Sequence, residues 1–380
     1  VLTFSGSKQD EFLANPLTRR EALLGALTLA ASQAVRAETA AVAAVAMDAG
    51  VQFGSAFDRE VFSDAPYRAL IAAECRAGAL ENSLKFDWLK PRGSKPDYTH
   101  ADRLIDFAQT HGIALRGTAL IWNDWEPDWL KALSRRDAAY VFDQHISETA
   151  GRFAGRIAAW DVVNEPFFPL HGRPGGFRKG VWFDALGATY VERAFRRAAA
   201  ADPKALLILN EAFCEQNDAW GTAIRPLLAG LVRSLKDAGV RLDGVGFQGH
   251  LKPHLPHDYS AFADYLRGIA GLGATLHITE LDVDDSSFPD AIPERDARVA
   301  ETLTRFLDPV LRVARLRSVT LWHLSDRYSW YRSVPWYGDA VAKHGGRRDR
   351  KARSHVFDDQ LRPKPAWAAL RTAFEKARVR

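Results

Sequence analysis

Two short segments of this 380-residue chain carry a carboxylate where an apolar run ends. Trp160-Asp161-Val162-Val163-Asn164-Glu165-Pro166 closes on Glu165, and His277-Ile278-Thr279-Glu280-Leu281-Asp282-Val283 carries Glu280. Such a pair can cleave a glycosidic acetal with retention. One carboxyl protonates the leaving oxygen, and the other, ionised, sits below the anomeric carbon about 5 to 5.5 Å away. A carboxyl in apolar surroundings beside its neighbour's charge keeps its proton, whereas a hydrogen-bonded one stays charged. His250 and Asp282 are placed to hydrogen-bond and orient Glu280, so Glu280 reads as the nucleophile and Glu165 as the acid/base. Asn164, beside the acid, is a candidate for bonding the sugar 2-hydroxyl in the transition state.

Carboxylates this far apart in sequence need a scaffold that brings them to one mouth. Short apolar or β-branched runs alternate with longer amphipathic segments, the pattern of repeated βα units. Candidate strands lie at Val51–Ala56, Ala73–Glu81, Ala114–Ile121, Ala158–Asn164, Ala205–Asn210, Gly244–His250, Thr275–Leu281 and Ser318–Leu324. Helical stretches at Tyr98–His111, Arg135–Arg156, Ala185–Ala201, Ile224–Ala238, Tyr259–Ala270 and Pro293–Leu307 return the chain between them. The count fits a (β/α)8 TIM barrel, one domain over residues 42–378. An open doubly wound sheet would carry a glycine-rich phosphate loop after its first strand, where this chain reads Phe53-Gly54-Ser55-Ala56-Phe57-Asp58. In a barrel the chemistry gathers at the C-terminal ends of the strands. Those ends offer Glu81, Asn82, Trp122, Asn164, Glu165, Asn210, Glu211, Gln248, His250, Glu280, Asp282 and Trp322, and the fourth and seventh strands face each other across the mouth.

The composition excludes several other classes. A net charge of +4 from 51 basic and 47 acidic residues is too balanced to imply a nucleic-acid partner. Two cysteines, Cys75 and Cys214, support neither a disulfide framework nor a zinc site and read as buried thiols. The 11 Trp either fill a core or line a groove that stacks on sugar rings. Near the start, Leu17-Thr18-Arg19-Arg20 precedes an apolar stretch to about Ala34 and then Val35-Arg36-Ala37. This looks like a twin-arginine export signal over residues 1–37, too short and Ala-rich for a membrane span. A periplasmic or secreted protein is expected, with no membrane attachment in its mature form.

The same segments, in the same order, resemble glycoside hydrolase family 10 from about Val51 to Leu370. The resemblance implies a retaining endo-β-1,4-xylanase that acts on xylan or xylooligosaccharides, uses no cofactor or metal, and works as a monomer. Residues 160–166 and 278–282 match the family's acid/base and nucleophile signatures. Glu81-Asn82 with Lys85 resembles its Glu-Asn-x-x-Lys, implying contacts to sugars on the non-reducing side of the cut. Gln248 and His250 match its Gln-x-His, and Trp322, Asp326 and Trp330 its positions after the eighth strand. Leu361-Arg362-Pro363-Lys364-Pro365-Ala366 resembles the start of its closing helix. The chain also departs from the pattern. Thr118 and Asn123 replace two His of the third strand, Ala212 replaces a Tyr after the fifth that would stack on the leaving-side sugar, and Phe86 replaces a Trp. Each loss removes a hydrogen bond or stacking face of about 1 kcal/mol.

Weaker signals point to blander readings. The run from Lys343 to Arg353 could read uronyl decorations, but a solvated mobile loop is the expectation. His250, His254 and His257 are interrupted by Pro253 and Pro256, which disfavours a metal. Two rival functions remain: a related β-1,4-glycosidase acting on glucan or short xylooligosaccharides, and a sugar-binding barrel. The second would be expected to lack a carboxylate or its supports, and here both are present.

Overall fold

Apolar runs are buried on both faces when a parallel sheet closes on itself and helices cover its outside. The computed structural model describes residues 41–93 and 95–378, and the export signal expected over 1–37 lies outside them. The strands are β1 (Gln52–Phe57), β2 (Ala77–Leu80), β3 (Ala114–Gly117), β4 (Ala159–Asn164), β5 (Leu206–Glu211), β6 (Gly244–Phe247), β7 (Thr275–Val283) and β8 (Leu316–Leu321). Each pairs in parallel with the next and β8 returns to β1, so the eight close into a (β/α)8 barrel. Two-residue continuations, Ile121–Trp122 and His250–Leu251, carry β3 and β6 further toward the mouth.

A short α1 (Val42–Asp48) precedes β1. The long helices between and after the strands are α2 (Ala65–Glu74), α3 (Thr99–Thr110), α4 (Arg135–Arg152), α5 (Tyr190–Ala201), α6 (Ala219–Asp237), α7 (Tyr259–Gly271), α8 (Ile292–Val310) and α9 (Pro365–Arg378). Side-chain caps set several of their starts. Asp64 accepts from Tyr67 N, Ser134 from Asp137 N, and Asp218 from the amides of Trp220 and Gly221. The Asp218 cap starts α6 five residues before the expected Ile224. The expected second strand, Ala73–Glu81, loses Ala73 and Glu74 to α2, and only Ala77–Leu80 pairs. The expected helix Ala185–Ala201 is two pieces, Val181–Leu186 and α5, parted at Gly187, whose φ of 61° no helix continues through. Both cysteines are buried and free, as expected.

Register does the positioning work. Asn164 pairs with Asn210, Asn210 with Gly246, and His250 with Asp282. The first pairing depends on an irregularity between Asp161 and Val163 that shifts β4 by one residue against β5. Gly246 is required, because a Cβ there would lie 2.3 Å from Asn210 Oδ1. Below the mouth a buried ion pair joins Arg116 and Asp161, and Arg116 Nη2 also donates to Thr279 O at 2.7 Å.

The arginines of the basic run after β8 carry ion pairs. Arg350 reaches Asp290 at 2.7 Å and the carbonyls of Asp285, Ser286 and Phe288. Arg353 pairs with Asp296 at 2.6 Å, Arg347 with Asp349 at 3.0 Å, and Arg348 with Asp339. Arg350 and Arg353 tie the run to the segment after β7, whereas Arg347 and Arg348 stay exposed in pairs with Asp349 and Asp339.

Candidate active site

The C-terminal ends of the strands enclose a cavity of about 560 Å³. Glu81, Asn82, Lys85, Trp122, Asn164, Glu165, Gln248, His250, Glu280, Trp322 and Trp330 all line it. Asp282 does not reach the cavity; it stands behind His250, which alone of the two touches Glu280. The sequence reading that paired Asp282 directly with Glu280 is therefore corrected to a relay.

Glu280 is 5% exposed and held from two sides. Asn210 Nδ2 donates to its Oε1 at 2.8 Å, and His250 Nε2 lies 3.3 Å from its Oε2. His250 Nδ1 lies 2.9 Å from Asp282 Oδ1, and Asp282 also accepts from Trp330 Nε1 at 2.7 Å and Tyr331 OH at 2.9 Å. Burial alone would push His250 down, but the charges and hydrogen bonds of Asp282 and Glu280 outweigh it and hold the imidazole up to about 10. It is therefore an imidazolium at neutral pH, donating from both nitrogens, to Asp282 on one side and Glu280 on the other.

Glu165 sits at a left-handed φ of 47°, uncommon for a residue with a Cβ. Its amide donates to Asn210 O at 2.9 Å and its carbonyl accepts from Arg178 Nε at 3.1 Å, which together fix that conformation. On the side chain, Gln248 Nε2 donates to Oε1 at 2.8 Å, Asn164 Nδ2 lies 3.4 Å from the same oxygen, and Arg178 Nη2 bonds Oε2. Asn210 Nδ2 also bonds Asn164 Oδ1 at 2.9 Å, so two side-chain amides link the pair of carboxylates. Such a bridge keeps both groups in one geometry while leaving space between them for an anomeric centre.

The remaining walls differ in kind. At the β2 end, Lys85 Nζ donates to Asn82 Oδ1 at 3.1 Å and lies 5.3 Å from the Trp122 ring and 5.4 Å from that of Trp125. Glu81 accepts from His323 Nε2 at 3.1 Å; burial would raise its carboxyl, but the His323 charge holds it below the ordinary range. At the β5–β6 end stand Ala212, Phe213 and Lys252. Behind them Glu211 is fully buried and accepts from the amides of Phe167 and Ala212, and burial holds it well above the carboxylate range.

Of the residues that depart from the family pattern, Thr118 and Ala212 line the cavity. Asn123 Oδ1 instead accepts from the amides of Trp182 and Phe183, and Phe86 packs against Trp129, His145 and Trp182. Asp326 also lies away from the cavity, bonding Lys364 Nζ at 2.9 Å. The three histidines considered for a metal part company: His257 bonds Leu255 O, and His254 faces the His344 ring. Reading the sequence missed Arg178, which lies in the β4–α5 loop with no motif to mark it. Asn210 was visible as the polar end of the fifth strand, but its role needed the register.

The sequence profile of Glycosyl hydrolase family 10 matches residues 41–373. The chain is 33% identical to endo-1,4-beta-xylanase 5 of Pyricularia oryzae over 86% of this chain and 76% of that one. It is 28% identical to endo-1,4-beta-xylanase B of Thermotoga neapolitana over 78% of this chain and 79% of that one. Its structure is similar to xylanase 10B of Thermotoga maritima, with a TM-score of 0.78 at 26% identity, covering 89% of this chain and 99% of that one. It is equally similar, at the same TM-score and identity, to xylanase 10B of Thermotoga petrophila in complex with xylobiose, covering 89% of this chain and 98% of that one.

Proposed function

The chain belongs to glycosyl hydrolase family 10, and from that premise we propose that it is an endo-1,4-β-xylanase cleaving internal β-1,4-xylosidic bonds with retention through Glu165 and Glu280. The observation that carries the reading is the pair of carboxylates linked through Asn164 and Asn210 within one tryptophan-lined cavity. In the first step Glu280 attacks the anomeric carbon while Glu165 gives its proton to the leaving oxygen. The His250 imidazolium and Asn210 keep Glu280 ionised and aimed until the bond forms. In the second step Glu165, now a carboxylate steadied by Arg178, takes a proton from water, which attacks the glycosyl ester and regenerates Glu280. Net retention follows from two inversions.

The Glu81–Asn82–Lys85 end takes the sugars on the non-reducing side, which leaves the Ala212–Phe213–Lys252 end for the leaving group. Water is the second substrate, and the protein works as a monomer. Residues 1–37, with their paired arginines, support export to the periplasm or beyond. Replacing Arg19 and Arg20 with lysine and following the protein in cell fractions tests that placement; unchanged export removes it.

Reducing-sugar release from β-1,4-xylan, measured beside Glu165→Ala and Glu280→Ala, tests the function, with the anomeric configuration of the first product read by NMR. General acid/base loss costs about 10²–10⁴-fold, and loss of the nucleophile at least as much. A wild type inert on xylan, a variant of near-normal rate, or an inverted product overturns the reading.

A further inference from the structure

Two lysines line the cavity, one at each end, and they are held differently. Lys85 is tied to Asn82. Lys252 has no carboxylate ion pair among the described residues; its Nζ rests 4.8 Å above the centre of the Phe213 ring. Phe213 is itself fixed, by a left-handed φ of 64° and by the Trp220 ring at 5.6 Å. A cation seated on an aromatic face is oriented without being neutralised. Because Lys252 covers that face, Phe213 cannot offer it to a sugar, and Ala212 beside it has no ring to offer. This end of the cleft therefore presents charge and a donor where a stacking platform is missing.

We propose that Lys252 is a specificity-determining residue that selects substrates carrying a carboxylate on the leaving-group side, the class being uronic-acid-branched β-1,4-xylan. The inference rests on the reading under Proposed function. Lys252 is half-buried, so an approaching carboxylate would form a charge-assisted hydrogen bond in a partly water-excluded site. A carboxyl within electrostatic reach, Glu215, is buried, and burial raises it to about 7 against its own backbone amide and the pull of His250 and Lys252. At mildly acidic pH Glu215 is largely protonated and leaves the Lys252 charge available. The basic run after β8, which would otherwise compete for this role, contributes no residue to the lining of this cavity.

The test compares kcat/KM on glucuronyl-branched xylan with kcat/KM on the same polymer after its carboxyl groups have been reduced to alcohols. Branch shape is nearly preserved and only the charge is lost. The wild type is expected to favour the acidic polymer by about tenfold at low salt, the lower end of the worth of one charge-assisted contact, with the preference shrinking as salt rises. Lys252→Met should bring the ratio of the two rates to near one, and Lys252→Arg should restore most of it. A ratio unchanged in Lys252→Met, in a variant whose melting curve matches the wild type, overturns the inference alone. A wild type inert on both polymers overturns the reading beneath it as well.

Discussion

Asp282 is the most informative single residue to change, because it touches no substrate and yet governs the charge behind the nucleophile. It is 1% exposed and accepts from His250, Tyr331 and Trp330. Holding His250 at about 10 rather than 6.5 corresponds to roughly 5 kcal/mol in favour of the imidazolium. The Asp282 charge ranks ahead of the Glu280 charge among the causes that raise His250, so Asp282→Asn lowers the imidazole toward its ordinary value. The new amide also turns a donor toward a donor, whichever way it is flipped, at about 1–3 kcal/mol of folding stability. As pH rises past neutrality His250 would then lose the charge that the wild type keeps, and Glu280 would lose the cation beside it. The expected result is a fall of about 10- to 100-fold in kcat/KM on xylan at pH 8, the worth of one charge-assisted contact, with a much smaller deficit at pH 5, where the imidazole recharges. The assay is kcat/KM against pH for variant and wild type, taken as a ratio at each pH. A ratio equal at pH 5 and pH 8 would refute the relay, whatever its size.

Three further outcomes follow from other contacts. Arg178→Ala removes the bonds to the Glu165 carboxylate and carbonyl and should lower kcat by about 10- to 100-fold with KM little changed, Arg178→Lys recovering part; a fall in KM-dependent terms alone argues against the positioning role. Lys364, whose Nζ meets Asp326 at 2.9 Å and Asp296 at 3.2 Å, is buried, so Lys364→Met should cost about 3–5 kcal/mol in chemical denaturation; a loss below 1 kcal/mol would show the cluster relaxes. His250 and His323 both titrate above their ordinary value, the latter despite burial because of Glu81 and Glu60. Their stabilisation is fully present below about pH 6.5 and lost as pH rises through the folded values, near 10 for His250. The melting temperature should therefore fall between pH 7 and 10, and a flat profile over that window contradicts the assignment.

Much of this was legible in the chain. The period of apolar runs placed all eight strands, and polar residues closing several of the runs named much of the cavity wall, because a parallel strand buried on both faces has little choice of composition. Boundaries failed where local hydrogen bonding overrode the pattern: α2 runs on through Ala73 and Glu74 until Cys75 N closes it on Ile71 O, and the Asp218 cap drew α6 forward. What sequence could not supply was register. Whether Asn164 meets Asn210 depends on a one-residue shift in β4, and whether Asp282 meets Glu280 or His250 depends on the pairing beyond β6. Arg178 and Lys252 were illegible for a different reason, since a cation's role is set by which anions its loop brings near.

The chain order of the strands has a consequence for dividing the molecule. Glu165 ends β4 and Glu280 lies on β7, so a cut at the Asp202–Pro203 turn between α5 and β5 gives each fragment one reactive group. The first fragment would not hold a finished half of the machinery, because Glu165 draws its backbone acceptor from Asn210 and one of its side-chain donors from Gln248, both on the other piece. Turnover would then require the two pieces to find each other and restore the β4–β5 seam in its shifted alignment, which makes sugar release a direct readout of fragment reassembly.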